Sequence, residues 1–420
     1  METPNPQPDP GPETGPQPES QPESQPESQP APRSSESQSD SEPEPEPDSR
    51  PGSDTPDRPR RWPGSDALLS WAGSRAGILL VATVGVGVLD LAKNMPPFLE
   101  RWQHWDAQLL VQIAKFGYDG DPAADHRDPG LPAFFPGMPI ALRLMHLIVP
   151  DWSLAGLLIS FVAGAVAMVA LARLADLEMP GAGRWAVPAL LLFPTAVFLF
   201  AGYSEALFLA FAIPAWLRAR RGDWPGAALL AAGASCVRIT GLFLACALIV
   251  EYAARREPIR RAGWLLVPFL PLVAYSAFHY HRSGDWLAWQ HAQEAGWGRR
   301  LVWPWESFQT TWGMAVNDGQ FVWPFRMEIA GVVVGLAALL WLVLARRWSE
   351  TVYVGLQLGA LMVSAFYLSI PRSALLWFPL WVLLGRTAAR RPWVLVVYGL
   401  VAGPLMVVNT IAFLNGAWAG

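Results

Sequence analysis

The stretch PGAALLAAGASCVRITGLFLACALIVEY, residues 225–252, is apolar enough to lie in a membrane, yet Arg238 interrupts its middle. Arg218, Arg220 and Arg221 precede it, and Arg255, Arg256, Arg260 and Arg261 follow it. The positive-inside bias therefore places both flanks on the cytoplasmic side. An even number of crossings is then required, which one straight helix cannot supply. Two half-length helices of about 12 residues would each rise only about 18 Å. That is short of a hydrocarbon core of roughly 30 Å, and such breaks are tolerated where they line a watery or protein-filled cavity. The turn between them is expected at Arg238-Ile239-Thr240-Gly241. As a single span the run would hold Arg238 at mid-membrane, at higher cost. In both arrangements Arg238 needs an anion nearby.

The rest of the chain agrees on an all-α integral membrane protein. Of 420 residues, 52% are hydrophobic and 22 are tryptophan while 16% are charged, which is more apolar surface than a soluble domain can hide. Apolar runs fall near residues 76–92, 153–173, 185–201, 204–218, 226–252, 263–280, 327–345, 350–370, 374–385 and 393–414. With the broken run counted twice, about eleven transmembrane segments are expected. The chain then reads as a multi-pass protein of the cell membrane, its amino terminus cytoplasmic, its carboxyl terminus outside, and its large loops 93–152 and 281–326 outside. Arg58, Arg60, Arg61 and Arg75 flank the first span on its cytoplasmic side; Arg173 with Arg184, Arg346 with Arg347, and Arg386 to Arg391 mark further cytoplasmic turns.

Residues 1–57 carry fourteen acids against Arg33 and Arg50, a net of −12, so the remainder is +8 although the whole chain is −4. Gln-Pro-Glu-Ser repeats there at 17–20, 21–24 and 25–28. With almost nothing apolar to bury, residues 1–62 are expected to form a disordered cytoplasmic tail ahead of a membrane domain, residues 63–420. The tail lacks the basic and apolar regions of a signal peptide, so the first span is expected to serve as an uncleaved anchor. Its sign excludes nucleic acid as a partner. Only Lys93 and Lys115 among the 31 basic residues are lysine, a skew that fits a GC-rich, actinobacterial genome better than a binding role.

Directly after the first span, Arg101-Trp102-Gln103-His104-Trp105-Asp106-Ala107 sets an acid and an imidazole at its wet end. An ionisable cluster at a bilayer surface serves chemistry or transport. The same outer loop holds Tyr118 and the strip Pro132 to Gly137, and the second outer loop holds Trp289, Gln293, Glu294, Trp297 and Arg299. Aromatic residues with scattered polar ones suit short interfacial helices. Arg372, in Ile370-Pro371-Arg372-Ser373, lies in a short outer turn between two apolar runs, where nothing else explains its charge.

Several of these segments recur in a known order: His104-Trp105-Asp106-Ala107, Ile113-Ala114 with Gly117-Tyr118, Ala133-Phe134-Phe135-Pro136-Gly137, Ala201-Gly202-Tyr203-Ser204-Glu205-Ala206-Leu207-Phe208, and Val237-Arg238 with Gly241-Leu242. Together they resemble the PIG-V family, which comprises the second mannosyltransferase of GPI-anchor assembly and its bacterial relatives. The likeness covers roughly residues 100–245 and weakens over 263–420. It implies a polytopic glycosyltransferase of the C-type (GT-C) fold. Such an enzyme takes mannose from a polyprenyl-phosphate-mannose donor and transfers it, with inversion, to a lipid-linked or protein-linked acceptor on the non-cytoplasmic face. An acid of the first outer loop is the expected base there, and Asp106 is the matching position. The chain departs from the family at Leu109 and Leu110, where aromatic residues are expected, and in a longer stretch between Tyr118 and Phe134. Both departures bear on the acceptor more than on the chemistry.

An inverting transfer needs a base for the acceptor hydroxyl proton and cations for the departing lipid phosphate. Asp106 is the candidate base, and Arg238 and Arg372 are the candidate phosphate ligands. His104, Trp105, Tyr118, Phe134, Phe135, Pro136, Tyr203, Ser204, Glu205, Thr240, Gln293, Trp297 and Arg299 are candidates to bind substrate or shape the site. Plainer readings stand beside these. Asp106 could cap an interfacial helix, Glu205 could reach to water, Arg238 could pair with Glu205, and the tryptophan-rich loop could be a membrane-surface belt. His104 is a lone histidine, and Cys236 and Cys246 have no metal spacing, so no metal is expected. Gly85 and Gly87 follow no strand, which disfavours a nucleotide-sugar donor and leaves no cofactor expected. The alternative function is a lipid or glycolipid transporter or flippase, which would also use broken helices and buried arginine.

Overall fold

The computed structural model describes residues 64–85, 97–126, 128–317 and 322–420. The expected disordered tail, residues 1–62, lies outside the described residues, as does the stretch 86–96 that ends the expected first span. Among the described residues the regular elements are helical, and extended pairing is confined to one antiparallel bridge between Leu301 and Ser364. Five stretches of the described residues are long and apolar enough to cross a membrane: Ser65–Val84, Trp152–Glu178, Ile259–Ser283, Val322–Leu344 and Trp393–Leu414.

Helix α1 (Ser65–Leu80) runs on through a π turn, Val81–Gly85. It starts well before residue 76, so Arg75 lies inside the helix rather than on its cytoplasmic flank, a correction to the expectation. The reason is that Arg75 is not solvated as a boundary residue would be. It is 1% exposed, its Nη1 donates to the Ala196 carbonyl at 3.3 Å and its Nη2 to Ser74 Oγ at 2.9 Å, and its guanidinium lies 4.2 Å from the Trp71 ring centroid. A carbonyl and a π face together make such a charge tolerable inside a bundle.

The first large loop folds into α2 (Asp106–Phe116) and α3 (Gly137–His146). They share a small core of Leu110, Val111, Ala114, Met138 and Leu142 with Ala155 and Ile159 of α4 (Trp152–Glu178). Ile140 and Leu144 of α3 face outward, as suits an interfacial helix. The 27 residues of α4 rise roughly 40 Å, more than a hydrocarbon core.

The expected run 185–201 is divided into α5 (Gly183–Leu191) and a 3-10 turn, Ala196–Leu199. Pro194 supplies the break, because it lacks an N–H and disfavours helix in the residue before it. Next, α6 (Ser204–Arg220) begins after Gly202, whose φ of +75° is a left-handed conformation that favours glycine. The run at 225–252 is two helices, α7 (Trp224–Val237) and α8 (Thr240–Ala254), with Arg238 extended between them at φ −149°, ψ 151°. Each rises about 20 Å. Gly241 lets α8 fold back on α7, since a Cβ there would lie 2.4 Å from the Ser235 Cα. Arg220 before the pair and Glu251 near its end are 3.8 Å apart, so the chain returns to the end from which it entered.

A 3-10 stretch, Ile259–Phe269, leads into α9 (Leu270–Ser283). The second large loop holds α10 (Ala288–Trp297) and α11 (Pro304–Val316). Then follow α12 (Val322–Leu344), α13 (Trp348–Met362), the short α14 (Ile370–Ala374), α15 (Phe378–Arg390) and α16 (Trp393–Leu414). The runs expected at 204–218, 350–370 and 374–385 are thus helices of 17, 15 and 13 residues, which stop short of full span length.

Candidate active site

Asp106 opens α2 directly after Trp105, a non-glycine residue at φ +52°. Such a conformation costs on the order of 1–3 kcal/mol and persists only where its surroundings fix it. Here the Trp105 ring meets Trp418 edge-on at 5.5 Å, and the His104 carbonyl accepts from Ala107 N at 3.1 Å and from the Tyr203 hydroxyl at 2.9 Å. Asp106 Oδ2 lies 2.8 Å from Arg372 Nη1. Arg372 Nε is 3.4 Å from Glu205 Oε1, and that same oxygen is 2.8 Å from Arg238 Nη1. The four side chains form a row of alternating sign, Asp106, Arg372, Glu205, Arg238. Arg238 Nη1 also donates to Ser204 Oγ at 2.7 Å.

Electrostatics follows from this row. Burial alone would lower the Arg372 guanidinium, but the carboxylates of Asp106 and Glu205 outweigh it and hold its pKa above the ordinary value. Burial raises the Tyr203 hydroxyl, and the charge of Asp106 raises it further. Glu205 is fully buried and therefore depends on its two arginines for compensation. His104 has its pKa lowered by burial, and its ring packs edge-on against Phe413 at 5.7 Å. It holds Asp106 in place through its carbonyl and does not line the cavity.

Arg372 is positioned by a residue the sequence reading did not select. The chain enters α14 through Ser369 at φ +65°. Glu328 of α12, 1% exposed, accepts from Ser369 N at 2.6 Å and from Ile370 N at 2.8 Å. These backbone N–H groups open a helix and have no partner within it, so the carboxylate fixes the turn that carries Arg372. An acid at the start of an otherwise apolar run was the available signal.

The row borders a cavity of about 490 Å³. Of the residues expected from sequence, Asp106, Ser204, Arg238, Thr240, Arg372, Phe134, Phe135, Gln293, Trp297 and Arg299 line it. Trp105, which is exposed, and Tyr118, Pro136, Tyr203, Glu205 and His104 are not part of this lining. Tyr118 supports the wall by donating to the Phe134 carbonyl at 2.8 Å, and Tyr275 donates to the same oxygen at 2.9 Å. Pro136 leads into Gly137, where a Cβ would sit 2.7 Å from the Cys236 carbonyl oxygen. The Phe-Pro-Gly strip is thereby keyed onto the helix break at Arg238. Trp289, Ser364 and Trp418 also line the cavity without having been selected. Trp289 sits in a tryptophan-rich loop, whereas nothing local marks Ser364 or Trp418. Among the described residues no group of three or more His, Cys, Asp or Glu is placed to hold a metal ion.

Comparison with known proteins bears on the same segments. Residues 88–255 match the sequence model described as Mannosyltransferase (PIG-V). GPI alpha-1,6-mannosyltransferase 2 of Homo sapiens is 38% identical over 152 residues, which cover 33% of this chain and 29% of the human protein. The proteins of the same name from Cricetulus griseus and Mus musculus are 37% identical over 151 residues, with the same coverage. The matched stretch thus spans under a third of the length of these relatives. Among solved structures, that of ArnT from Cupriavidus metallidurans bound to undecaprenyl phosphate overlays with a TM-score of 0.45 at 16% identity, covering 77% of this chain and 60% of that one. Residues 88–255, the stretch similar to the PIG-V mannosyltransferase model, supply Asp106, Ser204, Glu205 and Arg238 to the site.

Proposed function

We propose that the protein is a polytopic membrane mannosyltransferase of the GT-C type, which moves mannose from a polyprenyl-phosphate-mannose donor to a lipid-linked or protein-linked hydroxyl on the non-cytoplasmic face. The observation that carries this reading is the Asp106 carboxylate, held 2.8 Å from Arg372 at the border of an aromatic-walled cavity within the family-matched region. In the transfer, Asp106 accepts the proton of the acceptor hydroxyl as that oxygen bonds the anomeric carbon. The bond from this carbon to the phosphate oxygen breaks, and the lipid phosphate leaves with the electron pair, inverting the centre. A carboxylate at a partly apolar surface serves as such a base, and nearby guanidinium groups stabilise the developing phosphate charge. Arg372 fixes the carboxylate's direction, and the strained Trp105 backbone limits the positions it can adopt.

The test uses purified protein in lipid nanodiscs with polyprenyl-phosphomannose and a cell-envelope lipid extract as acceptor. Mannosylated product is expected from the unaltered chain, and Asp106→Asn is expected to reduce its rate by at least about 100-fold, in the range of general-base removal. Equal rates from both proteins would remove Asp106 from this role.

A further inference from the structure

The cavity lining holds further polar residues that the transfer chemistry leaves without a role. Helix α10 ends at Gly298, whose left-handed φ of +65° turns the chain so that Arg299 and Arg300 follow at once. The strand-like segment after them pairs with the loop beyond α13, through Val302 N to the Val363 carbonyl at 2.9 Å and the bridge between Leu301 and Ser364. Arg299, Arg300 and Ser364 all line the cavity.

The charges of the two arginines have no carboxylate at pairing distance among the described residues, as those of Arg238 and Arg372 do, although Glu328 and Asp106 act on Arg299 from farther off. Arg238 and Arg372 each have a carboxylate oxygen at 2.8 Å, whereas among the described residues no carboxylate lies within 4.0 Å of Arg299 or Arg300. Arg299 Nη2 donates to the Leu368 carbonyl at 2.9 Å, but its buried Nε has no acceptor. Ser364 is 8% exposed, and its Oγ has no partner either. Unpaired buried atoms also occur at Arg238 Nε and Thr240 Oγ1, so the cavity as a whole is one that a polar ligand completes. What sets Arg299 and Arg300 apart is that they have no carboxylate partner among the described residues. Burial, and then the repulsion of Arg372, press the Arg299 guanidinium down to about 10, so an arriving anion would relieve it. Beside Arg238 and Arg372 an anion would instead meet the carboxylates of Asp106 and Glu205 already paired with them.

We propose that Arg299, Arg300 and Ser364 form a phosphate-binding subsite for a lipid-linked substrate, and that Arg238 and Arg372 position the two acids rather than the phosphate. Two guanidinium groups and a hydroxyl suit the several acceptor oxygens of a phosphate ester. The phosphate is supplied either by the polyprenyl-phosphate donor or by the headgroup of a phospholipid acceptor. The choice of a lipid carrier rests on the transferase reading, but the subsite is tested by binding alone.

The full chain in phosphatidylcholine nanodiscs is titrated with polyprenyl phosphate, with phosphatidylinositol, and with unphosphorylated polyprenol, alongside the R299Q/R300Q and S364A variants. The double variant is expected to weaken at least one phospho-lipid by about tenfold or more, as loss of charge-assisted hydrogen bonds does. Polyprenol binding, which also checks that the variant is folded, is expected to stay unchanged. Weakening confined to polyprenyl phosphate assigns the subsite to the donor, and weakening confined to phosphatidylinositol assigns it to the acceptor. The same affinity in both proteins for both phospho-lipids, no phosphate-dependent binding by the unaltered chain, or an equal loss with polyprenol overturns the proposal. Intact phosphate binding in a chain that transfers no mannose would sink the transferase reading and leave the subsite standing.

Discussion

Each member of the row Asp106, Arg372, Glu205, Arg238 is costly without its neighbours. Glu205 is fully buried, so Arg238→Ala would leave it only Arg372 Nε at 3.4 Å. Removing one partner of a buried ion pair costs about 3–5 kcal/mol, and Arg238→Ala is expected to lower the thermal midpoint of the detergent-solubilised protein accordingly. Adding Glu205→Gln removes the stranded charge, so the double variant should recover part of that loss. A double variant whose destabilisation equals the sum of the two single effects would mean the residues are not coupled. At this scale Asp106, Glu205, Arg238 and Arg372 were legible in sequence, because an ionised group among apolar neighbours is expensive and draws attention. Arg299 was selected only as a possible substrate contact, since its lack of a carboxylate depends on where Asp106 and Glu328 lie in space.

Among the elements, the decisive one is the hairpin α7–α8 with the strip that closes on it. Its break follows from charge and length, while its depth is set by close backbone approaches. A Cβ at Gly137 would stand 2.7 Å from the Cys236 carbonyl oxygen and 2.8 Å from Val237 Cγ2. Gly137→Ala should therefore destabilise the protein by about 1–3 kcal/mol, the usual range for overpacking. Gly359, inside α13, has nothing within 4 Å of its Cβ position, so Gly359→Ala should be neutral or stabilise by up to about 1 kcal/mol. Comparing the two thermal midpoints checks the pair, and similar shifts would show that the approach at Gly137 is not limiting. The other boundaries were less legible. The run 185–201 read as one span because its composition is apolar throughout, and only the position of Pro194 marks the break.

Across the whole molecule, α4 measures the distance between two polar layers. At its Trp152 end, Ser153 Oγ meets Gln103 Oε1 at 3.3 Å, three residues from Asp106 in sequence. At its other end, roughly 40 Å away along the helix, Glu178 is gripped by Arg347 and by Arg386 at 2.9 Å. Arg220 joins the same layer, 3.2 Å from Glu350 and 3.8 Å from Glu251. The helix ends that carry these arginines are the turns where the sequence clusters its basic residues. Glu178→Ala would leave Arg386 without its carboxylate and Arg347 with Glu350 alone, and is expected to lower stability by less than the roughly 3–5 kcal/mol of a fully stranded buried charge. Because this layer is remote from the cavity, the folded fraction should bind polyprenyl phosphate as before. A parallel loss of affinity at a temperature well below the midpoint would contradict that separation.

The sequence alone supplied the helical membrane character, the break at Arg238, the candidate base and the likeness to the PIG-V family over roughly residues 100–245. Each of these follows from local composition or from motif order, which need no long-range contact to be read. Tertiary structure decided the pairings: that Arg238 and Arg372 share Glu205, that Glu328 holds the turn before Arg372, and that Arg299 and Arg300 face the cavity without a carboxylate. A charge is visible in a sequence, but its compensation is a distance between segments up to 266 residues apart, as between Asp106 and Arg372, and only the packed chain fixes it.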